Sequence, residues 1–262
     1  MINRPRNLLL TFFVIFLSVT CSANSSQANP EPQFDTAEIT SFAKKVEKEI
    51  AKRGAKVAIV GRVGRPASEL PKGFRYTHTG FGVYSIITTQ DGNVVPGYTM
   101  YNLYQKNDKL NESSLVQDFP IDFFTGVFEL KAGVVIPTPE MQQRLLEVIA
   151  SDTYKKLHNA SYSAVANPFN TRYQNCTEHT LDVINAAIYQ TDDIAVIKAN
   201  NKKYFEPQTV NVGPFKMFLG AMMNEDISLS DQGGKVKTAT YTTIANYLEK
   251  YGLVQEKFVV NP

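Results

Sequence analysis

Apolar positions first recur at helical spacing. Ile39, Phe42, Ala43, Val46 and Ile50 fall on one face of a helix that Asp35 caps and Gly54 ends. Residues 56–63 (KVAIVGRV) read as a strand, and residues 64–73, with Gly, Pro and charge, as a loop. Residues 74–88 are dense in aromatic and β-branched side chains. With the turn Asp91-Gly92-Asn93 and the strand pattern of residues 97–105 they predict a β-hairpin. Residues 113–124 read as a short helix or loop, and residues 127–136 as a strand. Thr138 caps a helix with Pro139 in its first turn, predicted to run to about Leu157. A polar segment, residues 159–174, leads to a helix over 176–189 with Val183, Ile184, Ala187 and Ile188 on its apolar side. The remainder is predicted as loop, an apolar helix over 215–223, a strand near 235–240, a helix over 241–251 ended by Gly252, and a last strand over 257–260. Adjacent strands among helices predict an α+β fold with an antiparallel sheet packed against helices. No internal repeat interrupts this order.

The N-terminus has a different pattern. Arg4 and Arg6 precede an uncharged run, LLLTFFVIFLSV, and small or polar residues follow. A membrane span needs about 20 apolar residues, and this run is shorter. The order is that of a secretory signal peptide over residues 1–28, with cuts after Ala23 or Ala28. The alternatives are an uncleaved anchor or lipidation of Cys21, whose preceding Ser18-Val19-Thr20 match a lipoprotein signal poorly. The expected product is an exported, periplasmic or extracellular protein: one domain over residues 29–262, its assignment weaker in an extension from about residue 195.

Charge then removes one function class. Lys+Arg number 27 and Asp+Glu 25, and cleavage at residue 28 leaves 25 of each, so nucleic-acid binding loses its electrostatic basis. Two cysteines give neither a disulfide framework nor a multi-cysteine metal site. After cleavage Cys176 stands alone, in a compartment where a thiol is buried and inert, paired with another chain, or kept for its reactivity. No metal and no cofactor are expected, and no phosphate-binding glycine loop or GxSxG elbow is present.

The chemistry that remains is a cysteine at a helix start and a histidine on a strand. With Asn175 at the N-cap, the Cys176 sulfur lies over unpaired backbone N–H groups that favour a thiolate. Cys176, Thr180, Val183 and Ala187 share one helix face, so the sulfur is expected to point to the sheet. Of the three histidines, His78 is rigidly aimed from a strand, with Gly80 and Gly82 leaving space beside it. His179, three residues after Cys176, could tune the thiol, and His158 follows Lys155-Lys156 as an expected solvated helix-end residue. The same residues also fit a plain structural account, in which Cys176 is a core residue and His78 a satisfied strand histidine. The Asn-x-Ser/Thr matches at Asn111, Asn159 and Asn175 are short enough to arise by chance.

RVGR (62–65), FRYTHTG (74–80) and FNTRYQNC (169–176) resemble a bacterial family of exported proteins, domain-of-unknown-function family 2145. That family in turn resembles the circularly permuted branch of the NlpC-type papain-like superfamily, in which the histidine strand precedes the cysteine helix. The resemblance implies a permuted papain-like core with Cys176 as nucleophile, His78 as base and Asn102 as the polar residue that orients the ring. Family members often continue the cysteine helix with Asn/Gln-Trp; here Thr177-Glu178-His179 follow and Trp is absent. The implied function is an exported cysteine hydrolase acting on an amide or ester, with a cell-wall peptide or lipid acyl group as substrate. Acyl transfer would use the same residues. The alternative is a non-catalytic envelope protein that binds a peptide or lipid in a papain-like cleft. Membrane association is expected only if Cys21 is lipidated or the signal is uncleaved.

Overall fold

The computed structural model describes residues 33–89, 91–210 and 227–262. The signal peptide expected over residues 1–28, Cys21 and the helix expected over 215–223 lie outside the described residues. The chain runs α1 (Thr36–Lys52), β1 (Val57–Val63), a 3-10 turn (Ala67–Glu69), β2 (His78–Thr88), β3 (Val94–Gln105), β4 (Ser113–Asp118) and α2 (Pro120–Phe124). It continues through β5 (Glu129–Pro137), α3 (Pro139–Ala150), α4 (Asp152–Lys156), α5 (Cys176–Tyr189) and α6 (Ile194–Tyr204). It ends with β6 (Gln208–Val210), β7 (Val236–Thr238), α7 (Tyr241–Lys250) and β8 (Val254–Val260).

Six strands form one antiparallel sheet in the order β4-β3-β2-β1-β5-β8, while β6 and β7 pair separately. The fold is α+β, as the pattern of elements predicts. Strand alternation divides the core in two. Ala58, Val60, Met100, Val134 and Ile136 meet Phe42 and Val46 of α1 and Phe123 and Phe124 of α2 on one face. Val57, Ile59, Phe81, Val83 and Val135 meet α3, α5 and α7 on the other, through Leu145, Leu181, Ile184 and Ile244. The middle of the sheet is therefore buried on both sides, which is why β1 reads as a continuous apolar run rather than an alternating one.

Asp35 caps α1 in a capping box with Glu38, as its position predicts. Three elements differ from expectation. Residues 113–118 form an edge strand paired with β3, and only the five residues after Phe119 are helical. The Ser-Ser-Leu-Val-Gln-Asp string lacks two-residue alternation because Leu115 and Val116, on opposite faces, are both half-buried. The helix after Thr138 breaks at Ser151, whose extended backbone and hydroxyl cap α4 instead. Helix α6 was expected as loop: its buried face carries Lys198 and Asn201 beside Ile197, so no apolar stripe announces it.

Candidate functional site

Two neighbouring ladders end at different places, and the site sits between them. β1–β2 pairing runs down to Arg62↔His78. β2–β3 pairing stops at Phe81↔Tyr101, although β3 continues to Gln105 in register with β4. The sheet thus forks: residues 78–80 stay with β1, and residues 102–105 go with β4. Backbone groups of β2 that would have bonded to β3 are released at the fork. The Thr79 amide is one of them, and it faces the Cys176 thiol, where it favours the thiolate.

Cys176 reaches the fork from α5, which packs on β2 and β3. Asn175 holds the helix start, its Oδ1 accepting from the Glu178 N–H at 2.9 Å and its Nδ2 donating to the Ala164 carbonyl at 3.0 Å. That amide is buried and committed, so the Asn175 glycosylation pattern is spent on a cap. The thiol is 6% exposed and packs with Leu103 and Tyr162, flanked by Leu115 and Ala164.

His78 enters the fork from the other side. Its strand neighbours Gly80 and Gly82 face the α1/α2 layer, where a Cβ on Gly82 would meet Val60 and Met100. The ring is fully buried, stacked on Tyr104 at 4.7 Å between centroids and tilted against Phe123 at 5.4 Å. Its Nε2 lies 3.2 Å from Asn102 Oδ1. The Asn102 Nδ2 donates to Asp118 Oδ1 at 2.8 Å, and Tyr104 Oη donates to Asp118 Oδ2 at 3.0 Å. A carboxylate accepts only, so it fixes which end of the Asn102 amide faces His78. With Oδ1 toward the ring, Nε2 carries the proton and Nδ1 is the basic nitrogen. Arg62 closes the group: its guanidinium donates to the Phe123 and Thr125 carbonyls and lies 5.7 Å from the Tyr104 ring centroid.

The space beside Gly80 is not open, contrary to expectation. A Cβ there would meet the Asn102 amide and the Tyr101 carbonyl oxygen, so glycine is what lets Asn102 lie against β2.

Charge states follow from burial. Burial pushes the Cys176 thiol up, against the Thr79 amide, the Arg62 charge and the N–H groups of its own helix start. The thiolate expected at the helix N-terminus is therefore not the resting form: desolvation outweighs the backbone donors. Burial, with Arg62 assisting, holds His78 well below its ordinary value, so the ring is neutral. Asp118 is pushed up to about 7 by burial, with Asp122 adding to the rise and Tyr104, Arg62 and Asn102 opposing it.

The other two histidines lie elsewhere. His179 is buried edge-on to Tyr154 at 4.9 Å, and burial takes it down to about 3, so it brings no charge to the thiol. His158 is half-buried rather than solvated, with Nε2 3.0 Å from Ser113 Oγ, because β4 and the segment at residue 161 close over the end of α4.

Sequence reasoning missed Asp118 and a buried charge group behind α5. Lys198 Nζ lies 2.6 Å from Glu178 Oε1 and 2.7 Å from Asp182 Oδ2, while Gln174 and Asn201 also donate to Asp182. Asp182, with four donated bonds, is the carboxylate that neutralises Lys198. Glu178 is the surplus acid, and burial pushes it up to about 8. Among the described residues no His/Cys/Asp/Glu group has the arrangement of a metal site, and no helix is long and apolar enough to cross a membrane.

A family model described as "Uncharacterized protein conserved in bacteria" (DUF2145) matches residues 49–248. The chain belongs to this family. The DUF2145 match takes in every strand of the fork, Arg62, His78, Asn102, Asp118 and the whole of α5, and it continues past residue 195 into α7. No curated protein and no solved structure matches the chain.

Proposed function

We propose that this chain is an exported thiol hydrolase of amide or ester bonds, built on a permuted papain-like core. Cys176 is the nucleophile, His78 the base and Asn102 the residue that orients the ring. The supporting observation is the fork itself: the Thr79 amide on the thiol is one residue from a histidine whose Nε2 proton is already committed to Asn102. That commitment leaves Nδ1 to take the thiol proton as sulfur attacks a carbonyl carbon. The proton then passes to the leaving amine or alcohol, and water, deprotonated by the same nitrogen, releases the acid from the acyl-enzyme. The Thr79 N–H and the first N–H groups of α5 are the donors available to the oxyanion. Because thiol and ring are both neutral at rest, the proton moves during attack, not before it. Cell-wall peptides and lipid acyl groups are the substrate classes the superfamily resemblance supports.

Covering of the thiol by Tyr162 and Ala164 favours one other reading, an envelope protein that binds a peptide or lipid without turnover. An activated generic ester separates the two. Incubation with p-nitrophenyl acetate followed by intact-mass measurement should show one acetyl group on the wild type and none on Cys176→Ala. His78→Ala should slow acetylation roughly 10²-fold or more, the usual share of a general base. Acetylation of wild type and His78→Ala at equal rates would remove the hydrolase reading and favour the binding protein.

A further inference from the structure

We infer that Asp118 is the positioning residue of this site, holding the Asn102 amide in the one orientation that keeps the His78 proton on Nε2. The inference rests on the thiol-hydrolase reading for its consequence, but its geometry is independent of it. An amide can present either end to an imidazole. If Asn102 turned over, its Nδ2 would donate to Nε2, the ring proton would move to Nδ1, and the nitrogen needed to accept a thiol proton would be blocked. Nothing in His78 or Asn102 alone forbids this.

The decision comes from the far side of Asn102. Asp118 Oδ1 accepts from Nδ2 at 2.8 Å, and an ionised carboxylate has no proton to offer a flipped Oδ1. Asp118 is itself held by the Tyr104 hydroxyl at 3.0 Å, and Tyr104 stacks on the ring whose proton is at stake. The chain Tyr104, Asp118, Asn102, His78 thus turns back on itself. The charged and titratable groups facing Asp118 are Arg62 from β1, Tyr104 from β3, Asp122 from α2 and Tyr154 from α4. With Asp118 titrating at about 7, the hold tightens above neutrality, where the carboxylate is ionised.

Nitrogen-15 spectra of the histidine rings in the intact protein read the tautomer without substrate. Three histidines give three ring systems, and His78→Ala assigns the one that matters. The wild type should show a single His78 tautomer with the proton on Nε2. Asp118→Ala should populate both tautomers and slow acetylation of Cys176 by p-nitrophenyl acetate about tenfold, with half-saturation unchanged. Asp118→Asn, whose amide can donate to a flipped Asn102 as readily as accept from it, should also populate both tautomers and slow the acetylation. It should also abolish the step near pH 7 in the His78 shifts, which a ring neutral at that pH reports only through its neighbour. Should Asp118→Ala fail to fold, the tautomer mixture in Asp118→Asn carries the test, and a single Nε2–H tautomer in that variant would overturn the inference. An unchanged His78 tautomer in Asp118→Ala overturns it as well, whatever Cys176 does. A changed tautomer with unchanged acetylation keeps the Asp118 role and removes the hydrolase reading instead.

Discussion

Gly80→Ala adds one methyl group at the narrowest point of the fork. The new Cβ would stand 3.0 Å from the Tyr101 carbonyl oxygen and 3.1 Å from Asn102 Cγ, and closer still to Asn102 Oδ1. Comfortable carbon contacts begin at about 3.5 Å, so the amide must retreat by several tenths of an ångström. The His78–Asn102 bond is already 3.2 Å long, and such a retreat takes it past the limit of a hydrogen bond. Overpacking of this kind costs about 1–3 kcal/mol, and a buried ring N–H left without its acceptor costs another 1–3 or so. Loss of glycine's chain entropy in the unfolded state returns about 0.4–1 kcal/mol. The net expectation is a destabilisation of about 2–4 kcal/mol, read by urea unfolding, with acetylation of Cys176 slowed alongside. Gly82→Ala is the control: two residues along the same face, its Cβ would sit 3.5 Å from Met100 Sδ and 3.6 Å from Val60 Cγ2, in ordinary contact. That variant should be as stable as wild type or up to about 1 kcal/mol more stable, since only the chain-entropy gain applies. If Gly80→Ala is as stable and as reactive as Gly82→Ala, the Asn102 amide is not held against β2 and the reasoning fails.

Three further outcomes are expected. Cys176→Ala should cost only about 1 kcal/mol in urea unfolding, because one small buried atom is lost, and a much larger loss would make Cys176 a core residue first. Stability should fall as pH rises from 6.5 to 8: Glu178 keeps its proton to about 8 in the folded chain but releases it at an ordinary carboxylate value when unfolded, so the unfolded state gains as protons leave. Glu178's share of the loss is about 2 kcal/mol over that window. Asp118, titrating at about 7, adds to it, and the three histidines, half protonated at about pH 6.5 when unfolded and depressed when folded, offset part of it. Glu178→Gln should therefore lessen the fall by about Glu178's share; an equal slope in both proteins would contradict a surplus buried acid. Intact-mass measurement of the native protein should place its N-terminus between Asn24 and Asn29, and a lipid on Cys21 or a retained Met1 would contradict cleavage of the signal.

Local chemistry was legible in the sequence, and register was not. The start of α5 at Cys176 follows from Asn175, a residue type favoured at N-caps, and from the apolar run behind it. His78 could be named because it lies in a strand of strong pattern, and Asn102 only because the superfamily resemblance asks for a polar residue on the following strand. Asp118 could not. Its meeting with Asn102 depends on β3 pairing with β4 at Met100↔Asp118, and β4 lacks the alternation that marks a strand. The fork was equally hidden, since two strands that part after Phe81↔Tyr101 look the same in sequence as two that stay together. Helix α6 was lost for a related reason: Lys198 and Asn201 are buried by charge and hydrogen bonding, and a reading based on apolar spacing counts them as surface.

On the proposed thiol-hydrolase reading, the fork is what would let a thiol and an imidazole seated on opposite faces of one sheet share a reaction. In a continuous ladder the backbone would stand between them, and its N–H groups would be spent on β3. Where β2 leaves β3, one of those groups, the Thr79 amide, turns to sulfur. Burial then keeps both partners neutral, because separating charge between them without solvent is costly. Arg62 biases the balance further: its positive charge disfavours an imidazolium and favours negative charge at sulfur. An ionised Asp118 opposes the first effect from the other side of Asn102 and leaves the second to the backbone donors. Negative charge arriving at the fork thus meets Arg62, the Thr79 amide and a helix N-terminus, while the positive charge that must accompany it meets Asn102 and Asp118. That division of the field between the two faces of the sheet is what an acyl-transfer step requires, since the two charges appear together only while sulfur attacks.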